Sequence, residues 1–488
     1  MTMTLADLLG RPDAPATVIG GLASDSRRVR PGDVFFAYRG SAYDGHDFVS
    51  DAVAAGAVAV VSERPVAVDV PSVVMGGVGR RIGDFARRFF DAPSGELDVV
   101  GVTGTNGKTT VAYNVARVAG TAAYMGTLGW GSPPSLCAAD MTTADPITLL
   151  ARLRALRHQG FNAVALEVSS HALDQGRVDA VDFAVGVFTN LGRDHLDYHG
   201  SVARYGAAKA KLFERSLALG AVVNADDALG RSIIADLPSG TSALSFGVDA
   251  DVRWDGITYG PDGIAGRWRT PWGENAFTLP HFYGPFSVYN AAATLATCCL
   301  LGMPQAAVVD AMKTLHAVPG RMQLVARSPR VVVDYAHTPD ALDAALQAVR
   351  SHVAGAGRVI LVFGCGGDRD RGKRALMAQA AERGADLVIA TSDNPRTESP
   401  ERILDDVAAG FRAPQQLLRI ADRRRAIATA LRQAQTGDVV LLAGKGHERY
   451  QEVGGERVPF SDAAVAETLA ARRRRQEPPT PRDDRNAT

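Results

Sequence analysis

Short apolar runs recur along the chain, each followed by a turn of small or polar residues and then by a stretch of helical periodicity. DVFFAY (33–38) and VAVV (58–61) predict strands, with a helix over Phe48–Ala59 between them. They form a small α/β unit over residues 1–92. LDVVGV (97–102) opens a second unit, 93–324: a buried strand, a Gly-rich turn, then a helix from about Thr109. NAVALEV (162–168), FAVGVFTN (183–190) and GAVVNAD (220–226) continue the alternation, which predicts a mainly parallel sheet. Residues 252–280, rich in Gly, Trp and Thr, predict antiparallel strands instead. A third unit, 325–488, carries RVVVDYA (330–336), RVILVFG (358–364), ADLVIAT (385–391) and DVVLLAG (438–444). These have the buried character of a Rossmann-like, doubly wound sheet, whose functional loops lie past the strand carboxyl ends. The end of the chain is charged and Pro-rich and predicts a disordered tail from about residue 472.

The sharpest local pattern is GVTGTNGKTT, residues 101–110. A strand delivers the chain to a glycine turn, and a helix starts at the Lys-Thr pair. Backbone N–H groups of such a turn, together with the helix N-terminus, surround phosphate oxygens. Lys108 is placed to reach the outer phosphates and the Thr109 hydroxyl to meet Mg²⁺. Gly104, Thr105, Asn106, Gly107 and Thr110 complete the loop. Val102 stands where the commonest form of this motif has its first glycine, with Gly101 and Gly104 on either side. Glu167 ends the next apolar strand, a position suited to a Mg²⁺ ligand beside a phosphate loop. NLGRDHLDYHG (190–200) likewise puts Asn190, Asp194, His195 and Asp197 in a turn after a strand.

Composition narrows the classes of partner. The chain has 488 residues, enough for about three domains. Its 53 basic and 53 acidic residues cancel, so no global field favours nucleic acid or an anionic membrane. The N-terminus lacks the pattern of a signal peptide and no apolar stretch is long enough to span a bilayer, so no membrane insertion is expected. Four cysteines without CxxC spacing argue against zinc or a disulfide framework; all four are expected to be buried thiols in a reducing, cytoplasmic compartment.

The GTNGKT variant (104–109) resembles the Mur ligases and folylpolyglutamate synthetases. That resemblance implies ATP used to make an acyl phosphate. It implies that His195, in DHLD, helps bind metal, and that Lys209, in YGAAKAKLF (205–213), carries a CO₂-derived carbamate that ligates Mg²⁺. Lys211 is the competing position, and the YxxxK spacing from Tyr205 favours Lys209. The resemblance places Lys108, Lys209, His195 and Glu167 in the catalytic group, with Thr109, Glu167, His195 and Lys209 as the metal set. SDSRRVRPGDVFFAYRG (24–40) resembles the UDP-holding segment of the Mur ligase that adds the third amino acid, which points to Ser26. MTTAD (141–145) resembles a family turn in which Pro usually stands at Ala144; it implies that Thr142 and Thr143 meet the UDP-sugar peptide. Ser169, Gln175 and Arg177 carry over to the same ligand, and Asn290, Arg321, Asp334 and His337 to ATP. DNPR (393–396) is the most selective motif: Asp393, Asn394, Pro395 and Arg396, with Arg369, Gly444 and Glu448, match contacts to meso-2,6-diaminopimelate. Arg396 offers a planar fork for the carboxylate that distinguishes this amino acid from lysine. The implied reaction joins meso-diaminopimelate to the D-Glu carboxylate of UDP-N-acetylmuramoyl-L-Ala-D-Glu, in a monomer. A lysine-adding Mur ligase, a folylpolyglutamate synthetase and a non-ligating P-loop regulator are the alternatives.

Overall fold

The computed structural model describes residues 3–40, 43–353 and 355–476. By contacts the chain falls into two compact units, 1–252 with 292–308, and 253–291 with 309–488. Both are mixed α/β structures built on parallel sheets.

The first unit holds two sheets. Four parallel strands, Gly21–Ala23, Asp33–Ala37, Ala59–Ser62 and Ser72–Val74, lie side by side in chain order. The helix expected over Phe48–Ala59 is shorter, Val49–Ala54, after a 3₁₀ turn Gly45–Phe48. Gly56, at φ +106°, ends it there. In the larger, eight-stranded sheet, Asp98–Thr103 sits between Ala163–Glu167 and Phe183–Phe188. Apart from Asp98 these three strands are buried throughout, as parallel strands covered on both faces must be. Register pairs Val102 with Glu167 and Thr103 with Phe188, so three strand ends open at one edge. Cys137 lies on the last strand of this sheet, Ser135–Cys137, and is exposed because no strand covers that edge; Cys298 and Cys365 are buried and Cys299 partly so.

In the second unit, Arg253–Gly260, Gly263–Thr270 and Gly273–Pro280 form an antiparallel sheet. Its core is Trp268, fully buried and stacked on Phe277. The six-stranded sheet runs Gln323–Arg327, Arg330–Asp334, Val439–Ala443, Val359–Cys365, Leu387–Ser392, Leu417–Arg419, and only the first strand is antiparallel to its neighbour. Asp334 pairs with Ala443 and Cys365 with Ser392, so the loops that follow all leave from one edge. A hairpin, Tyr450–Val453 with Glu456–Pro459, turns at Gly454 and Gly455, both at positive φ. The last helix, Asp462–Gln476, includes the start of the expected tail: Arg473 donates to the carbonyls of Ala434, at 3.0 Å, and Leu431. Residues 477–488 lie outside the described residues. No helix among the described residues is long and apolar enough to cross a membrane.

Candidate active site

The phosphate turn is closed by the chain's own polar groups. Thr105 N–H donates to Asn190 O at 2.8 Å, Asn106 N–H to Asn190 Oδ1 at 3.0 Å, and Thr189 Oγ1 to Asn106 O at 2.6 Å. Gly104 has φ +148°, and a Cβ there would stand 1.9 Å from Thr189 Oγ1; only glycine fits. Gly107, at φ +85°, caps the helix Lys108–Ala119. The first N–H groups of that helix have no carbonyl partners of their own and point at the site. Lys108 Nζ donates to the carbonyls of Gly104 and Thr105, both at 2.8 Å.

Glu167 is fully buried at its strand end, beside this turn. Thr109 Oγ1 donates to its Oε2 at 2.9 Å, Thr127 N–H to its Oε1 at 3.0 Å, and Tyr124 OH to Oε1. A hydroxyl and a carboxylate at the mouth of a phosphate cradle are the oxygen donors a hard divalent cation takes, so these residues fit Mg²⁺. The expected UDP-side residues adjoin the same strand end. Thr143 Oγ1 donates to Glu167 O at 2.8 Å and accepts from Ser169 N–H at 3.0 Å. Thr142 Oγ1 lies 3.0 Å from Thr127 Oγ1. Arg177 donates to Thr143 O at 3.0 Å and forks onto Gln175 Oε1 at 2.6 and 2.9 Å. Ser26, in the 3₁₀ turn Ser26–Arg28, makes no hydrogen bond to these residues; its neighbour Arg28 reaches the Thr142 loop through Asp140 at 2.6 Å.

Lys209, on the helix Val202–Ala210, is 1% exposed. Its Nζ donates to Gly104 O at 2.8 Å, the carbonyl Lys108 also uses, and sits 4.2 Å from the Tyr205 ring centre. Burial above all, and then the Lys108 charge, push its ammonium well below the usual lysine range; Asp194 opposes this. Lys211 instead makes a surface pair with Asp174 at 2.8 Å. His195, at φ +51°, is half exposed, with its ring edge-on to His171 and Tyr205. Among the described residues no three His, Cys, Asp or Glu side chains are placed to hold a metal ion by themselves.

In the second unit, Arg321, Asp334 and His337 gather around Tyr335. Arg321 lies over its ring at 4.5 Å, and His337 meets it edge-on, ring centres 4.7 Å apart. Asp334 accepts from the N–H groups of Met322 and Ala336, both at 2.8 Å, while burial raises its carboxyl and Arg321 opposes. Asn290 is buried on the helix Pro285–Leu300. His447 also packs against Tyr335, ring centres 5.4 Å apart. Burial, with Arg321, takes His447 down to about 4, so it is neutral at physiological pH. Among the described residues its Nδ1 and the Nε of Arg321 are buried without a hydrogen-bond partner, which makes them costly unless something polar meets them.

The DNPR loop meets the GKGHE loop (444–448) through Lys445, a fully buried cation. Its Nζ donates to Asn394 Oδ1 at 3.0 Å and Glu448 Oε2 at 2.8 Å, with Asp393 3.8 Å away. Asn394 Nδ2 donates to the same Glu448 oxygen at 3.0 Å. Burial alone would raise Glu448, but the bonds from Lys445 and Asn394 outweigh it and hold the carboxyl below the usual range. Burial raises Asp393 despite Arg423 and Lys445. Gly444, at φ +111°, lets Asp393 approach; a Cβ there would stand 2.6 Å from its Oδ2. Arg396 is at φ +53° just past Pro395, its Nε donating to Glu452 Oε2 at 3.1 Å and Nη1 to Gly367 O at 2.7 Å. Nη2 has no protein acceptor among the described residues. Arg369 is exposed nearby. Lys445 lies inside a motif visible in the sequence, where only its burial was hidden. Tyr124, Thr127 and Glu452 carry no sequence signal, since their roles arise from strand register and a hairpin.

Three domain models of one family match the chain: Mur ligase family, catalytic domain, over residues 18–81; Mur ligase middle domain, 102–298; and Mur ligase, glutamate ligase domain, 320–446. A UDP-N-acetylmuramoyl-L-alanyl-D-glutamate–2,6-diaminopimelate ligase of Alkalilimnicola ehrlichii is 46% identical over 490 residues, covering 95% of this chain and 96% of its own. The enzyme of that name from Coxiella burnetii is 44% identical over 467 residues, 92% and 95%. A solved structure with the same name matches at TM-score 0.72 and 38% identity, covering 97% of this chain and all of that one. Folylpolyglutamate synthase of Mycobacterium tuberculosis, at TM-score 0.60 and 18% identity over 82% of this chain and 96% of its own, shares the fold.

Proposed function

The chain belongs to the Mur ligase family, and from that premise we infer that it is the ATP-dependent ligase joining meso-2,6-diaminopimelate to UDP-N-acetylmuramoyl-L-alanyl-D-glutamate. The observation that carries the choice of amino acid is the meeting of DNPR and GKGHE at one sheet edge. Asn394 bonds Glu448 there, and Arg396 and Arg369 flank Gly366 next to the Asn394 carbonyl. The distal centre of meso-diaminopimelate bears a carboxylate and an ammonium; arginines suit the first and Glu448 the second. Lysine has only the ammonium.

The D-Glu side-chain carboxylate oxygen attacks the γ-phosphorus of ATP, and the bond to the β-phosphate oxygen breaks, leaving an acyl phosphate and ADP. The turn N–H groups and Lys108 hold the transferring phosphoryl group in a fixed field. The deprotonated amine of diaminopimelate then attacks the acyl carbon, and the tetrahedral adduct expels inorganic phosphate. Thr109, Glu167, His195 and a carbamylated Lys209 would hold Mg²⁺, which supplies charge neutralisation at the phosphates. Burial favours the neutral amine of Lys209, the form that adds CO₂. Ser26, Thr142, Thr143, Ser169, Gln175 and Arg177 serve the UDP-sugar peptide, and Asn290, Arg321, Asp334 and His337 serve ATP. Residues 1–92, 93–324 and 325–488 divide these tasks as three domains. The enzyme works as a cytoplasmic monomer, where its nucleotide substrates are made and used.

The test is direct. The protein is incubated with ATP, Mg²⁺, bicarbonate and the UDP-muramoyl dipeptide, with diaminopimelate or lysine, and the product is weighed. A product one diaminopimelate heavier, with little or no lysine adduct, supports the reading. Equal use of lysine, or phosphate release that ignores the amino acid, overturns it.

A further inference from the structure

Arg369 is expected at the distal carboxylate, yet nothing on its own side chain holds it there. It is exposed and, among the described residues, pairs with no acidic group. Its place is set by the turn that carries it. Gly367 N–H donates to Asn394 O at 2.9 Å, and Asp368 N–H to Glu398 Oε1 at 2.6 Å. Thr397 returns two bonds to the Asp368 carboxylate, from its N–H at 3.0 Å and its hydroxyl at 2.8 Å. Asp368 is itself at φ +53°, a conformation a non-glycine residue keeps only when its surroundings impose it.

Behind these bonds stands Arg374, 1% exposed, on the helix Gly372–Gly384. It forks onto both oxygens of Glu398, at 2.8 and 3.1 Å, and reaches Asp406 at 2.7 Å and Gly366 O at 3.2 Å. Glu398 therefore ties the helix, through Arg374, to the turn, through Asp368. The consequence appears at Gly366. A Cβ there would lie 3.1 Å from Arg396 Nη1 and 3.8 Å from Arg369 Cγ, so both arginine side chains flank one glycine. Both side chains are cationic, so bringing their guanidinium groups to one carboxylate needs a constraint from elsewhere.

We propose that Glu398 is a positioning residue: backed by Arg374, it clamps the Asp368 turn onto the DNPR loop so that Arg369 and Arg396 form one cradle for the distal carboxylate of the amino acid. The proposal rests on the functional reading above. The clamp works across the whole working range of pH, because the bond from Arg374, with that from Asp368 N–H, holds Glu398 down at about 2. Glu398 is 12% exposed and faces the helix through Arg374, so it acts through Arg369 and not on substrate.

Glu398→Gln keeps the side-chain volume but loses the charge that Arg374 grips. The expected result is a KM for diaminopimelate raised about 5- to 30-fold, as for loss of one charge-assisted hydrogen bond. The KM values for ATP and the UDP-muramoyl dipeptide should stay within about 2-fold. A merely structural role would not survive the next comparison. If Glu398 acts by placing Arg369, then Glu398→Gln added to Arg369→Ala worsens the KM for diaminopimelate no further. Multiplication of the two effects overturns the clamp, as does an unchanged KM in either single variant. Asp368→Ala removes the other, exposed arm of the clamp and enters the same cycle, so the answer does not depend on Glu398→Gln folding. Wild type in the same assay separates the two ideas. Failure to ligate diaminopimelate removes the functional reading and the clamp with it, whereas wild-type turnover with multiplicative variants removes the clamp alone.

Discussion

Two lysines donate to one carbonyl oxygen, that of Gly104, and their settings separate their tasks. Lys108 stands at the helix start, in the cradle itself. Lys108→Ala should leave the fold intact and lower turnover by about 100-fold or more, the usual cost of losing one preorganised charge at a transferring phosphoryl group; steady-state phosphate release with a circular dichroism control checks it. Lys209 lies behind the turn, sealed from solvent, with its ammonium well below the usual lysine range. That direction gives a stability prediction. Between the depressed folded value and the unfolded one, near 10.4, the unfolded chain binds the extra proton, so stability rises with pH across that window. In CO₂-free buffer, Lys209→Met should therefore stabilise the protein at neutral pH, and the gain should vanish as pH climbs past the unfolded value. Thermal unfolding from pH 7 to pH 11 measures it, and a gain independent of pH would mean the amine is not held as described. With bicarbonate present, Lys209→Ala, which leaves room where the side chain stood, should be nearly inactive, and added short carboxylates should recover part of the turnover. Both lysines could be singled out in the sequence. What the sequence lacked was their common carbonyl, because Gly104 and Lys209 lie 105 residues apart.

Elements were legible where one physical cause dominated. Parallel strands buried on both faces read as unbroken apolar runs, so Asp98–Thr103, Val359–Cys365 and Val439–Ala443 fell within a residue or so of their expected bounds. The helix after Phe48 was harder, because its apolar periodicity runs on past Gly56 while the backbone does not. Loop-to-loop knitting was not legible at all. DNPR and the turn that carries Arg369, GCGGDR (364–369), are separated by a helix and a strand, and the register of Cys365 with Ser392 brings them side by side. Gly367 shows how tight that contact is: a Cβ there would fall 2.0 Å from Pro395 O, a backbone atom that cannot yield. Gly367→Ala should cost about 1–3 kcal/mol, the range for forcing an extra carbon into packed structure. The damage should be local, raising the KM for diaminopimelate while the phosphate turn, in the other compact unit, keeps its KM for ATP. Thermal unfolding together with the two KM values tests this, and an equal rise in both would place the strain elsewhere.

At the scale of the molecule, the phosphate turn and the DNPR cluster fall in different compact units, residues 1–252 with 292–308 and 253–291 with 309–488. The half-reactions should therefore be separable by substitution. Under the proposed function, activation of the D-Glu carboxylate draws on Lys108, Thr109 and Glu167, and amide formation on Arg396 and its neighbours. Arg396 is not without a counter-ion when the amino acid is absent, since Glu452 meets its Nε at 3.1 Å. Removing one partner of a buried charge pair costs about 2–5 kcal/mol, much of it from the charge left stranded. Arg396 and Glu452 keep 23% and 30% of their side-chain surface exposed, so the lower end applies. Arg396→Ala should then weaken use of diaminopimelate by roughly 30-fold, at tenfold per 1.4 kcal/mol. The activation step should be untouched. Hydroxylamine traps an acyl phosphate as a hydroxamate without any amino acid present. With ATP and the UDP-muramoyl dipeptide, wild type and Arg396→Ala should give hydroxamate at equal rates, and Lys108→Ala should give almost none. With diaminopimelate in place of hydroxylamine, only wild type should turn over well. If Arg396→Ala also loses the hydroxamate, Arg396 serves the whole site and not the amino acid. If Lys108→Ala keeps it, the phosphate turn is not where the carboxylate is activated.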